Sequence, residues 1–230
     1  TKLQFAKDKC VDGVIVMPVG HSGKHIAEIL RDVPVVLIDR IVKDINADAV
    51  VVDNTNAVYN AVEQLIIRGH RRIAMIAGPQ HIYTARERLE GYKRVMRDYG
   101  LPVEDGLVLY GDYRSGTGYS LMKQLIERSE RPSAVFVSNY EMTIGAVACL
   151  NELGIEIPQE LSVIGFDHLE LSNLVKPPLA MIAQPRDEIG RKAAEILLRR
   201  MNGDRTNFPS LVRLKTQFIP GLSIAEHTSR

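Results

Sequence analysis

The stretch Gly69-His70-Arg71-Arg72-Ile73-Ala74-Met75-Ile76-Ala77-Gly78-Pro79, running on to Arg86, Arg88 and Gly91-Tyr92, decides how this chain reads. Gly69 stands where a left-handed residue ends a helix, Ile73–Ala77 is an apolar run of strand length, and Gly78-Pro79 makes a turn before a second helical pattern. Helix, strand and helix in so short a span make a βα unit. In an open parallel α/β sheet, ligands bind where the carboxyl end of a strand hands over to a helix. Arg86 and Arg88 stand just beyond that handover.

The alternation extends outward in both directions. On the amino-terminal side, Val14-Ile15-Val16-Met17, Val35-Val36-Leu37-Ile38 and Val50-Val51-Val52 are continuous β-branched runs, which read as strands covered on both faces. On the other side, strands are predicted at Leu107–Tyr110, Ala134–Val137, Leu161–Phe166 and Ala180–Ala183, with a last extended segment from Leu211 to Ile219. Helical patterns lie between: one around Ile26, Ile29 and Leu30, stopped before Val33-Pro34, and one capped by Asn54 or Thr55 and striped by Ala57, Ala61 and Leu65. Others close at Gly100, Arg131-Pro132, Gly154 and Gly203. Repeated βα units imply parallel sheets with right-handed crossovers. There are more of them than one compact sheet of 230 residues usually carries, which favours two α/β lobes.

Composition removes several function classes. Lys+Arg number 29 against 28 for Asp+Glu, a formal net charge of +1, and the basic residues are scattered, so no clustered face offers itself to phosphates. Cys10 and Cys149 both lie beside apolar residues and read as buried thiols of a reducing compartment. No run approaches the ~18 to 20 apolar residues of a membrane span, and the first ten residues hold no apolar run of the kind a signal peptide needs. Enzyme signatures fail as well. Gly116-Thr117-Gly118 lacks the third glycine of a dinucleotide loop, Gly23-Lys24 is followed by His25 where a phosphate loop needs Ser or Thr, and His21 and His25 have Gly23 between them and no glutamate beside them. No nucleophile elbow is present, and the expectation is a protein without catalysis, cofactor or metal.

What remains is a set of polar residues at strand ends: Asp39-Arg40, Ser138-Asn139-Tyr140 and Asp167-His168. Any single Asp or Asn there is more often a turn former or helix cap, but the set together can converge on a ligand. Arg88 sharpens the point. It lies in the first turns of a helix, where the macrodipole already supplies positive potential, so an arginine needs something anionic or strongly accepting beside it. Its planar fork suits vicinal hydroxyls or a carboxylate, with Asp167 as an orienting partner. Arg86, Arg94 and Arg97 are expected to be solvated or structural. The chain has no tryptophan, so ring stacking on a ligand falls to Tyr83, Tyr113, Tyr140 or Phe166, with packing the better expectation for Tyr113.

These residues resemble a known family. Asp12-Gly13-Val14-Ile15, Pro34 through Arg40, Val52-Asp53-Asn54, Gly69 through Ala74, Arg88 with Gly91-Tyr92, Ile144-Gly145-Ala146, Val163 through Asp167 and Pro177-Pro178-Leu179 are similar, in order, to the effector-binding core of LacI/GalR-type bacterial repressors. The resemblance implies two Rossmann-like lobes of the periplasmic-binding-protein type, with the first strand-helix-strand of the first lobe missing. Residues 1–52 and 185–218 would form one lobe, and 53–184 with 219–230 the other. It further implies an effector site between the lobes, with Arg88, Asn139 and Asp167 gripping the ligand, Asp39 reaching it from the other lobe, Thr84 facing the pocket, and Tyr140 and Phe166 beside them. Three departures stand out: Tyr140 where the family usually has Asp, His168 after Asp167, and Pro220-Gly221-Leu222 ahead of Ser223.

By the same resemblance the chain would be the effector-sensing part of a cytoplasmic homodimer. It would take a small sugar or sugar derivative and act on operator DNA through a helix-turn-helix headpiece not in this sequence, with no membrane partner. A periplasmic sugar-binding protein of an uptake system is the alternative on the same fold.

Overall fold

The computed structural model describes residues 2–19, 22–167 and 175–227. His21 and His168 lie outside the described residues. In chain order the elements are α1 (Lys2–Asp8), β1 (Val14–Val16), α2 (Gly23–Ile29), β2 (Val35–Ile38), β3 (Asp48–Val52), α3 (Asn54–Ile67), β4 (Ile73–Ala77), α4 (Tyr83–Asp98) and β5 (Val108–Tyr110). There follow α5 (Ser115–Ile126), β6 (Ala134–Val137), α6 (Tyr140–Glu152), β7 (Ser162–Phe166), β8 (Ala180–Ala183), α7 (Arg186–Met201), β9 (Leu211–Leu214) and β10 (Gln217–Ile219). They divide into two compact units, Thr1–Asp53 with Pro185–Lys215, and Asn54–Gln184 with Thr216–Arg230. This is the α/β, parallel-sheet, two-lobed architecture that the alternation of runs predicts.

The larger unit is built on a sheet in the order β10-β8-β7-β6-β4-β5. All pairs are parallel except β10 with β8. Side chains alternate across a strand, and β4 shows the consequence. Ile73, Met75 and Ala77 face a core with Leu65 of α3 and Leu89, Tyr92 and Met96 of α4. Ala74 and Ile76 face the opposite core with Met122 and Leu125 of α5 and Met142 and Leu150 of α6. Both faces are covered, so every β4 residue is buried and the sequence shows an unbroken apolar run. Gly69 closes α3 with φ +90, and a Cβ there would meet the carbonyl oxygen of His227 at 2.1 Å.

The smaller unit has four parallel strands in the order β1-β2-β3-β9. Leu3, Ile26 and Leu30 pack on one face against Leu37 and Ala49. Ala193 and Ile196 of α7 pack on the other against Val36 and Val50. At the amino end of β3, buried Asp48 takes two bonds from Arg200, from Nε to Oδ2 at 2.8 Å and from Nη2 to Oδ1 at 2.9 Å. Ser210 adds its N–H at 2.8 Å and hydroxyl at 2.7 Å. Burial pushes this carboxyl up, but the bonds from Arg200 and Ser210 outweigh it and hold the pKa below the usual carboxylate value.

Two expectations need correction, and one element was not expected at all. Leu211 to Ile219 is not one extended segment but two strands in different sheets, and the chain changes unit after Lys215. Cys149 is buried, whereas Cys10 is exposed in the turn after α1 with φ +50. Lys2–Asp8 is a helix that the sequence did not announce, since its apolar residues Leu3 and Phe5 fall on different faces, the one buried and the other exposed.

Candidate functional site

Strand order decides where the larger unit can bind. Counting its parallel strands from β4, the order across the sheet is 2-1-3-4-5, so the chain leaves β4 toward one edge and returns at β6 on the other side. The crevice beyond the carboxyl ends of β4 and β6 is the topological switch point, where open α/β sheets take ligands. Arg88 follows β4 and Ser138 follows β6, and a hydrogen bond from Arg88 Nη1 to the Ser138 carbonyl at 2.6 Å spans that point.

Arg88 is 3% exposed. Nε donates to Asn54 Oδ1 at 2.8 Å, and the guanidinium carbon sits 3.6 Å from the centroid of the Phe166 ring. Asn54 is itself held, its amide donating to Glu87 at 3.2 Å. No carboxylate pairs with Arg88, and Nη2 has no hydrogen-bond partner, among the described residues. The expected orientation by Asp167 is replaced by Asn54, Ser138 and Phe166. The result is a buried cation held only by neutral acceptors and a π face, with one end of its fork unused.

The neighbouring strand ends carry backbone strain. Asp167, directly after β7, has φ +83, and Tyr113, just past β5, has φ +70. Non-glycine residues in the left-handed region cost on the order of 1 kcal/mol or more each, and such strain gathers at functional sites. Asp167 accepts a hydrogen bond from Gln184 at the end of β8. The Tyr113 ring lies on Gly78, so close that a Cβ at Gly78 would fall 2.2 Å from its atoms. The Tyr113 hydroxyl and Ser138 Oγ are both buried without a hydrogen-bond partner among the described residues. Two unsatisfied hydroxyls at one sheet end are polar groups left without a protein acceptor.

The remaining expected residues are placed as follows. Asn139 caps α6, accepting from the Met142 N–H at 3.3 Å and donating to the Tyr113 carbonyl at 3.3 Å. Thr84 is buried in the first turn of α4. Tyr140 is half-buried against the α5/α6 core. Phe166 is fully buried beneath Arg88, so its ring serves the arginine. Arg86 is exposed and ties down the preceding loop through the carbonyls of Gln80 and His81. Asp39 belongs to the smaller unit, follows β2 with φ +69, and is paired with Arg40 at 2.7 Å. Asp112, after β5, is held below the usual carboxylate range, first by the Thr117 hydroxyl and also by the Arg114 N–H.

Sequence reasoning missed Asn54, Gln184 and the part played by Tyr113. Asn54 reads as a helix cap, and only its burial at the start of α3 shows another use. Among the described residues no group of His, Cys, Asp and Glu could hold a metal ion, and no helix is long and apolar enough to cross a membrane.

Comparison with known proteins fits this geometry. The sequence family described as a periplasmic binding protein-like domain matches residues 62–224. Catabolite control protein A of Priestia megaterium is 35% identical over 90% of this chain, and the Ribose operon repressor of Escherichia coli K12 is 34% identical over 95%. The chain spans 62% and 65% of the length of these two curated relatives. A solved LacI family transcriptional regulator from Enterococcus faecium, with bound ribose, superposes with a TM-score of 0.87 at 28% identity, covering 98% of this chain and 84% of that one.

Proposed function

The chain belongs to the LacI family of transcription regulators, built on the periplasmic-binding-protein-like domain, and on that premise we propose that it is the effector-sensing core of such a regulator. The effector is a small polyhydroxy ligand, a sugar or sugar derivative, taken up at the carboxyl end of the larger unit's sheet. The observation that carries this reading is Arg88: buried and, among the described residues, without a carboxylate and with Nη2 unused at the topological switch point. A sugar's vicinal hydroxyls accept from such a fork without requiring a second buried charge. Asp167 supplies acceptors for the ligand's own O–H groups, and the unpartnered hydroxyls of Tyr113 and Ser138 add donors or acceptors at the same sheet end.

Binding then favours one conformation of the protein by its differential affinity for the alternatives. In the longer, dimeric, cytoplasmic protein, that preference alters operator affinity through a DNA-binding headpiece. The chain itself performs no catalysis. Calorimetric titration with ribose and a panel of mono- and disaccharides tests the reading. Arg88→Ala and Asp167→Ala each abolish the heat of the sugar that binds, and binding left intact by both substitutions overturns it.

A further inference from the structure

At the amino end of the smaller unit's sheet, the end opposite Asp39, lies a cavity of about 530 Å³. It is bounded where β2, β3 and β9 begin, at Val35, Asn46 and Phe208, and where α2 and α7 finish, at Leu30 and Arg200. Its size falls in the range of small-molecule sites. Leu30, Pro34, Ile45 and Phe208 make an apolar floor, and Arg31 and Arg205 stand on the rim.

The arginines around it are not equivalent. Arg200 is spent: Nε and Nη2 are on Asp48, and Nη1 donates to the carbonyls of Asp204 at 2.8 Å and Thr206 at 3.1 Å. Arg205 makes no side-chain hydrogen bond or ion pair among the described residues, and its guanidinium carbon lies 5.2 Å from the centroid of the Phe208 ring. Arg31 has no hydrogen bond or ion pair from its side chain among the described residues. Its place just beyond α2 complements that helix's carboxyl-terminal dipole, which accounts for a cation there and leaves its five donors unused. Two guanidinium forks over an apolar floor, with Asn46 beside them, outnumber the one carboxylate of the lining, Asp32, and make a site for a compact anion carrying an apolar body.

We propose that this cavity is a second small-molecule site, taking a phosphomonoester whose anionic head bridges Arg31 and Arg205 while its carbon body lies on Phe208. Phosphate fits the pair better than carboxylate, because a tetrahedral dianion offers an oxygen edge to each of two forks. It is a site separate from the strand-end cluster around Arg88, in the other unit.

Isothermal titration of the chain with phenyl phosphate tests the proposal, with inorganic phosphate and benzoate as partial probes. Phenyl phosphate binds with a millimolar or tighter Kd, and each partial probe binds more weakly. Arg31→Ala and Arg205→Ala are exposed changes that leave the melting temperature in place, and each weakens phenyl phosphate about tenfold, the worth of one lost charge-assisted contact. Arg88→Ala leaves the phenyl phosphate isotherm unaltered. Absence of heat at millimolar ligand, or affinity that survives both rim substitutions, overturns the proposal. Loss of phenyl phosphate binding in Arg88→Ala also overturns it, because the probe would then be occupying the strand-end site. A sugar isotherm unchanged in Arg31→Ala and Arg205→Ala keeps this outcome distinct from failure of the effector reading.

Discussion

Two buried arginines, one in each unit, are almost equally hidden from solvent, Arg88 at 3% and Arg200 at 4% exposure. Each lies near a phenylalanine ring, Phe166 at 3.6 Å and Phe208 at 5.3 Å. Arg200 meets a carboxylate in bidentate geometry and fills its remaining donors with loop carbonyls. Arg88 meets an amide oxygen and one backbone carbonyl, and keeps part of its fork idle. Burying a charge costs several kcal/mol after relaxation, and only a well-placed counter-charge offsets that locally. Arg200 is therefore read as a clamp on the smaller unit, and Arg88 as a group held ready for something outside the protein.

The largest effect expected from this contrast is on stability. Asp48→Ala strands Arg200 and should destabilise the smaller unit by about 3–5 kcal/mol in chemical denaturation, the usual cost of breaking one side of a buried pair. Arg200→Met should do the same by stranding Asp48, whereas Arg88→Met, which strands no carboxylate, should leave the ligand-free chain within about 1 kcal/mol of its starting stability. Equal losses in the two methionine variants would collapse the distinction. The Asp48 contribution also has a pH signature. Its folded pKa is depressed, so the stabilisation is complete above the unfolded carboxylate pKa and disappears as pH falls through the folded value. Acid titration of Asp48→Asn should lack that component.

Next in size is the effect of Arg88 on binding. Loss of two charge-assisted contacts should weaken the sugar that binds by about 100-fold in Arg88→Met, read by calorimetry. A variant that keeps its affinity would make Arg88 a structural residue like Arg200.

A third buried base extends the contrast. His70 bonds Ser133 Oγ at 2.8 Å and the Ala225 carbonyl at 3.2 Å, with the His227 ring stacked at 5.0 Å and no carboxylate partner among the described residues. Burial, followed by the electrostatic influence of the neighbouring His227 ring, lowers its pKa from 6.5 to about 4. Unlike arginine, histidine can give up its proton, and it is buried neutral. Because its folded pKa is depressed, its contribution is intact above pH 6.5 and is lost as pH falls toward about 4. His70→Gln should flatten that part of the stability profile by on the order of 1 kcal/mol. An unchanged profile would mean that His70 titrates as an exposed histidine does.

The smallest expected effect belongs to Tyr113→Phe. Removing a buried hydroxyl without a partner should change stability by less than about 1 kcal/mol, in the favourable direction. Sugar affinity should drop by about fivefold if that hydroxyl meets the ligand. A stability loss without an affinity loss would assign the hydroxyl to the fold.

The period of the sequence made most of the fold legible. The strands Val35–Ile38, Ile73–Ala77, Ala134–Val137 and Ala180–Ala183 stand where their apolar runs place them, because a strand covered on both faces needs apolar residues at every position. Arg88 was legible for a similar reason: a cation near a helix start is locally unfavourable, and a local conflict shows in a local reading. Asn139 illustrates the converse. Its side chain caps α6 as Asx residues commonly do, a use that local rules describe fully.

What tertiary structure alone decided is who meets whom. Arg88 finds Asn54 across 34 residues and Ser138 across 50, and no period or propensity relates positions so far apart. Leu211–Leu214 and Gln217–Ile219 are equally extended, yet one joins the sheet of the smaller unit and the other that of the larger. Extended conformation is a property of a few neighbouring residues, whereas sheet membership is set by which edge lies open and which face needs covering. The sequence by itself therefore determined the elements and the presence of an arginine in need of a partner. The packing of distant segments determined that its partners among the described residues are neutral, which is the physical basis for assigning it to a ligand.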